Sequence, residues 1–330
     1  MSDRRRINGP AGTTSSPVFA PYSQPATATA LRQRVRKPNE LRKICTVFLF
    51  LPYWSKLTPS VVLQTGIVPS ASGSAYLELE SPSEPKPSLD PTSSAIKLSC
   101  SVHGPKPLPR TASFSPNAQL SASVKFAPFA TRVRQGYVPN QTEKDLGLHL
   151  ENALKGVLLP DRWPKSAVDV AVIVLEGEDD QGEGDRFAGL GLFNLLAAAI
   201  NVAMAALADA KIDCLDLLAA GVGAVVPGPD SKPLRVLDPA AVEHDDIQSS
   251  CVVGYLPSRD EIVELWSNGS VSTQNANTST GFDELVEAAI AAARGAQTVI
   301  KEALVESMTR NQIAVKKPSQ GETNDVEMNT

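Results

Sequence analysis

From residue 63 onward the chain shows two periods of apolar and polar positions. "SAYLELE" (Ser74–Glu80) and "AIKLSCSV" (Ala95–Val102) alternate with period two, and Ile96, Leu98, Cys100 and Val102 fall on one face. The Pro/Ser-rich stretch between them predicts a loop joining two antiparallel strands. "LSASVKFAP" offers a third strand, so the chain is expected to open on a β-meander. The period then changes. In "TEKDLGLHLENALKGVLL", Leu146, Leu150, Leu154 and Val157 share a helical face, with Thr142 as cap before Glu143 and Asp145. "AVDVAVIVLE" is apolar almost throughout and predicts a buried strand. "FAGLGLFNLLAAAINVAMAALADA" is apolar nearly all round, which predicts a long helix between two layers. "CLDLLAAGVGAVV", "PLRVLD", "SSCVVGYLP" and "EIVELWS" predict further strands, and "TGFDELVEAAIAAARGAQTVIKEALVESM" a closing amphipathic helix. The expected fold class is α+β, with layered sheets and helices in one domain spanning 63–310.

The flanks differ. Residues 1–44 hold nine Lys/Arg against two Asp/Glu, although the whole chain has a net charge of −5. Rich in Pro, Ser and Thr, they predict a disordered basic arm able to touch nucleic acid or an acidic partner. Residues 45–62 form an atypical apolar insertion unlike either neighbour. Its greasiest run, Cys45–Trp54, contains Pro52 and is too short to cross a bilayer. The start "MSDRRRINGPAG" lacks the apolar core of a secretory signal, so a soluble, intracellular protein without membrane contact is expected. Residues 311–330 predict a disordered tail.

Little in the residue types calls for a metal or cofactor. The four cysteines, Cys45, Cys100, Cys214 and Cys251, form no CxxC pair, and there are only three histidines. His103, His149 and His244 have no nucleophile motif beside them. The one loop with the shape of an anion site is "DQGEGDRFAGLGL" (Asp180–Leu192), where glycines and Arg186 run into the apolar helix. Asp179, Asp180, Glu183 and Asp185 crowd it. At contact range each carboxylate costs a bound phosphate about 1–4 kcal/mol, while suiting the helix dipole as a cap.

Taken in order, "SGSAYLELE", "IKLSCSVHGPKP", "SVKFAPFATRVR", "AVDVAVIVLEGEDD", "LLAAGVGAVV", "VLDPAAVEHDD" and "FDELVEAAIAAARGAQTVIKEAL" resemble the RNase PH-type 3′ exoribonuclease domain, over most of 63–310. Within that family, "PNELRKI", "PSASGSAYLE" and "APFATRVR" look most like a ring subunit of the eukaryotic RNA exosome. The resemblance implies an RNase PH-like (ribosomal protein S5 domain 2-like) fold. It also implies partnership with other RNase PH-like ring subunits and an S1/KH-type cap protein, RNA contact without sequence specificity, and residence in nucleus, nucleolus and cytoplasm. Active members carry a phosphate-binding turn and two aspartates six residues apart. Here Asp185 stands where a hydroxyl residue is expected before Arg186. Asp238 fits the first aspartate, but His244 stands at the second, beside Asp245 and Asp246. Phe129 replaces a phosphate-facing arginine. The resemblance therefore implies a non-catalytic subunit with degenerate phosphate and carboxylate sites, the rival reading being an active phosphate-dependent exoribonuclease. Lys125, Arg132 and Arg134 are its candidate RNA-channel contacts.

Overall fold

The computed structural model of the protein describes residues 36–42, 62–79, 96–108, 115–131, 134, 136–178, 189–227, 233–240, 243–244, 247–269 and 281–316. In chain order the elements are β1 (Val62–Thr65), β2 (Gly73–Leu79), β3 (Ile96–Pro107), β4 (Gln119–Phe126), α1 (Gln141–Lys155), β5 (Ser166–Glu176), α2 (Leu190–Asp209), β6 (Ala219–Pro227), β7 (Pro233–Leu237), β8 (Ser249–Leu256), β9 (Glu261–Gly269) and α3 (Gly281–Lys316). A single 3₁₀ turn, Pro160–Arg162, follows α1.

The first sheet has the order β1-β2-β3-β5-β4 and the second β7-β6-β8-β9. All neighbours are antiparallel except β4 and β5, which run parallel with Phe126 opposite Val174. The expected meander thus stops at β3, because β5 inserts between β3 and β4. A parallel neighbour needs a crossover, and α1 supplies it. This pairing brings the C-terminal ends of β4 and β5 out at the same edge.

Alternation decides what each strand buries. Ile96, Leu98, Cys100 and Val102 are all 1% exposed or less, and their partners Val170, Val172 and Val174 continue the same inner face across β5. The outer face of β5 is partly open, although its largely apolar sequence predicts a buried strand; Ile173 is 44% exposed there. α2 fills the space between the two sheets, with Leu196, Ile200, Met204 and Leu207 buried. By length and composition alone α2 would cross a bilayer, but here both sheets enclose it. α3 covers the far face of the second sheet.

Two glycines mark the closest approaches of helix to sheet. A Cβ on Gly73 would lie 2.4 Å from the Ala206 carbonyl oxygen of α2, and one on Gly221 would lie 2.3 Å from the Ala293 nitrogen of α3. A further tie joins α1 to the second sheet. His149 Nδ1 lies 2.6 Å from Glu264 Oε1, and its ring stacks on Trp266 at 4.4 Å. Trp266 in turn meets Phe193 of α2 edge-on. His149 therefore has a packing role, as its lack of a neighbouring nucleophile implies.

Three boundaries differ from expectation. Residues 36–42, assigned above to a disordered arm, pack against the domain, with Arg42 only 6% exposed. Leu41 lies so close to α3 that a Cβ on Gly295 would fall 2.2 Å from its Cδ1. α3 runs on to Lys316, past the expected domain end. The cap of α1 is Asn140 rather than Thr142, because Glu143 at the third helical position reaches back to the Asn140 backbone. The apolar insertion lies outside the described residues apart from Val62, which begins β1, and so does the tail from 317 onward.

Candidate functional site

The C-terminal ends of β4 and β5, the start of α2 and the end of β7 converge on one corner. Residues 36–42 close it from the N-terminal side. β7 ends at Leu237, whose N–H donates to the Pro38 carbonyl, and Asp238 follows with φ of 47°. That left-handed backbone is uncommon outside glycine, though aspartate tolerates it better than most. The Asp238 N–H donates to the Val222 carbonyl at 2.9 Å, which fixes the turn.

Both Asp238 oxygens are taken by Arg42. The Arg42 backbone N–H donates to Oδ2 at 2.9 Å, Nε donates to Oδ1 and Oδ2 at 3.0 and 2.9 Å, and Nη2 donates to Oδ1. Arg42 Nη1 also lies 3.7 Å from Glu178 Oε2. Arg36 completes the network. It donates from Nε and Nη2 to the two Glu243 oxygens at 2.8 and 2.7 Å and from Nη2 to the Asp238 carbonyl, and its Nη1 lies 3.8 Å from Asp238 Oδ2. Asn194 of α2 donates to Glu178 Oε2 and to the Pro239 carbonyl. Two guanidiniums and three carboxylates thus form one desolvated cluster.

The electrostatics follow from this packing. Burial alone would raise the Asp238 pKa, but the Arg42 charge, its hydrogen bonds and Arg36 outweigh it and hold the group at about 2. Burial would lower the Arg42 pKa, yet Asp238 and Glu178 raise it further above its ordinary value. Asp238 is a permanent anion whose lone pairs face a permanent cation, an arrangement suited to holding residues 36–42 and unsuited to managing protons.

The second half of the corner is the loop after β4. The buried Glu143 carboxylate pins both of its ends: Oε1 accepts from the Phe126 N–H and Oε2 from the Asn140 N–H, each at 2.8 Å. The Ala127 N–H donates to the Val174 carbonyl and the Gly177 N–H to the Ala130 carbonyl, which ties the loop root to β5. From this root Phe129 and Tyr137 project with 74% and 76% exposure. Lys125 and Arg134 are exposed as well. Gly177 and Glu178 are adjacent, so one turn of chain links the loop root to the arginine cluster.

Of the residues singled out in sequence, the structure places Asp238 and His244 by this corner, with Asp238 engaged by arginine. Lys125 and Arg134 lie on its exposed rim. Arg132, Asp185 and Arg186 lie outside the described residues. Sequence reasoning missed Arg36, Arg42, Glu178, Glu243 and Asn194. The stretch "PNELRKI" held the signal for Arg42, but the high charge of its flank reads equally well as a solvated arm. Among the described residues, none of the three cysteines, Cys100, Cys214 and Cys251, is poised as a nucleophile. Burial pushes the Cys214 thiol up to about 11 and the Cys251 thiol up to about 12, and raises that of Cys100 further still.

Residues 60–213 match the 3′ exoribonuclease family, domain 1, and the chain belongs to that RNase PH family. Among its relatives it is 45% identical to the exosome complex component MTR3 of Chaetomium thermophilum, over 93% of this chain and 100% of that protein. It is 26% identical to the human exosome complex component MTR3, over 81% and 83% of the two chains. The crystal structure of rice Rrp46 shares the fold, with a TM-score of 0.56 at 19% identity, covering 81% of this chain and 96% of that one.

Proposed function

We propose that this chain is a non-catalytic ring subunit of the RNA exosome, serving as scaffold and as part of the wall of the RNA channel. The observation that carries the non-catalytic reading is the Arg42–Asp238 pair. The only aspartate that matches the family's carboxylate pair is bound through both oxygens by the protein's own guanidinium, and the position six residues on is His244. Phosphorolysis rests on placing charge around phosphate, and here the charge is neutralised internally. Full-length similarity to MTR3 supports the assignment to the ring. The partners are then the other RNase PH-like ring subunits and an S1/KH-type cap protein, in nucleus and cytoplasm. The edge strands β1, β4, β7 and β9 are where neighbours would pair, since open edges invite added strands.

The channel reading rests on cations at the rim of the corner. Changing Arg132 and Arg134 together to Glu is expected to weaken RNA threading through the assembled ring while leaving assembly intact. Two lost phosphate contacts on single-stranded RNA flatten the slope of log K against log salt by about 1.4. Nuclease protection of RNA by the assembled ring is the readout, and unchanged protection removes the channel assignment.

A further inference from the structure

Among the described aromatic side chains Phe129 and Tyr137 are the most exposed, well beyond Phe282 at 41%. Both lie close to the anchored ends of their loop. Phe129 is three residues from Phe126 and Tyr137 three residues from Asn140, the two positions pinned by the Glu143 carboxylate. Pro128 and Pro139 stand beside these roots and restrict the backbone further. An aromatic ring held on a fixed root loses little freedom when it binds a flat partner.

The charge around the rings narrows the partner. From Lys125 to Thr142 the chain contains Lys125, Arg132 and Arg134 and no Asp or Glu, although the protein as a whole is net acidic. Lys125 and Arg134 are exposed. Aromatic faces among cations, in a segment that itself carries no acid, is the composition that binds single-stranded nucleic acid: the cations track phosphates and the rings stack on bases whatever their identity. Val138 beside Tyr137 is exposed too, so it is the cations flanking the rings, rather than the rings alone, that favour a phosphate-bearing partner over a protein neighbour.

We propose that Phe129 and Tyr137 form a base-stacking element for single-stranded RNA, with Lys125 and Arg134 holding the adjoining phosphates. This rests on the channel reading above and deepens it: contact is made with the bases as well as the backbone, so single strands are favoured over duplex. Phe129, which takes the place of a phosphate-facing arginine in the family resemblance, exchanges a charge contact for a stacking one.

The test uses assembled ring carrying this chain and two probes of equal length, an oligouridylate and an abasic ribose-phosphate oligomer. Phe129→Ala and Tyr137→Ala are each expected to lower affinity for the oligouridylate by about 5- to 100-fold and to leave the abasic probe unchanged, while Phe129→Trp retains binding. Arg134→Glu is expected to weaken both probes. Equal affinities of Phe129→Ala and wild-type ring for the oligouridylate, or equal losses on both probes, overturn the stacking role. If Arg134→Glu also leaves both probes unaffected, the channel reading itself falls. Failure of Phe129→Ala chains to enter the ring would make the aromatics a protein contact and likewise overturn the proposal.

Discussion

Arg42→Ala is expected to cost the isolated chain about 3–5 kcal/mol of unfolding free energy, the usual penalty for removing one partner of a buried ion pair. The side chain is almost wholly buried and answers both Asp238 and Glu178. Its loss leaves Asp238 with the more distant Arg36 guanidinium, takes a cation from Glu178, and loosens residues 36–42 on the domain. Urea unfolding followed by circular dichroism measures the loss. The pH dependence gives a second signature. In the wild-type protein the folded pKa of Asp238 is depressed to about 2 from its ordinary value of 3.8. Its contribution is therefore complete above about pH 4 and disappears as pH falls towards 2. In Arg42→Ala, burial acts against the ionised form with less to oppose it, so protonation relieves the variant at a higher pH. The stability gap between the two proteins should narrow as pH falls from neutral to acid. A gap that stays constant or widens would show that Asp238 is not the group Arg42 serves.

Glu143→Ala is expected to cost about 1–3 kcal/mol, because it leaves the buried Phe126 N–H without its acceptor, while the Asn140 N–H, on an exposed residue, can turn to water. The side chain is only 3% exposed and touches no proposed RNA contact, yet RNA protection should fall along with stability, because both ends of the loop are released together. Glu143→Gln keeps one acceptor oxygen and should lose less of each. Hydrogen exchange localises the effect: the Phe126 and Asn140 amides should lose protection in Glu143→Ala while those of β3 keep theirs. Loss of protection spread evenly over the first sheet would assign Glu143 to general stability instead of to the loop.

Much of the fold was legible because burial here follows period. The inward set Ile96, Leu98, Cys100 and Val102 declares β3, and the all-apolar α2 declares its place between layers. The position of β5 between β3 and β4 was not legible, since periodicity says which face of a strand is buried and nothing about its neighbours in the sheet. The partly open outer face of β5 was hidden for a related reason: apolar residues such as Ile173 also occupy exposed positions, so an apolar run does not certify two covered faces. At the site, Asp238 was legible from "VLDP", but its condition was not. Its partners Arg36 and Arg42 lie about two hundred residues earlier, in a stretch whose charge is the same whether solvated or buried. Glu143 was half legible: an acid in the first turn signals a helix start, while its second bond, to Phe126, belongs to the tertiary fold.

The central claim is that this subunit does no chemistry of its own. Its most direct test is phosphate-dependent release of nucleoside diphosphates from RNA, measured for the purified chain and for a ring in which the carboxylate sites of every other subunit have been disabled. The expected result is no release above the phosphate-free control in either sample, with RNA still bound by the ring. Nucleoside diphosphates appearing in proportion to inorganic phosphate would contradict it, and would mean that the corner closed by Arg42 opens to substrate.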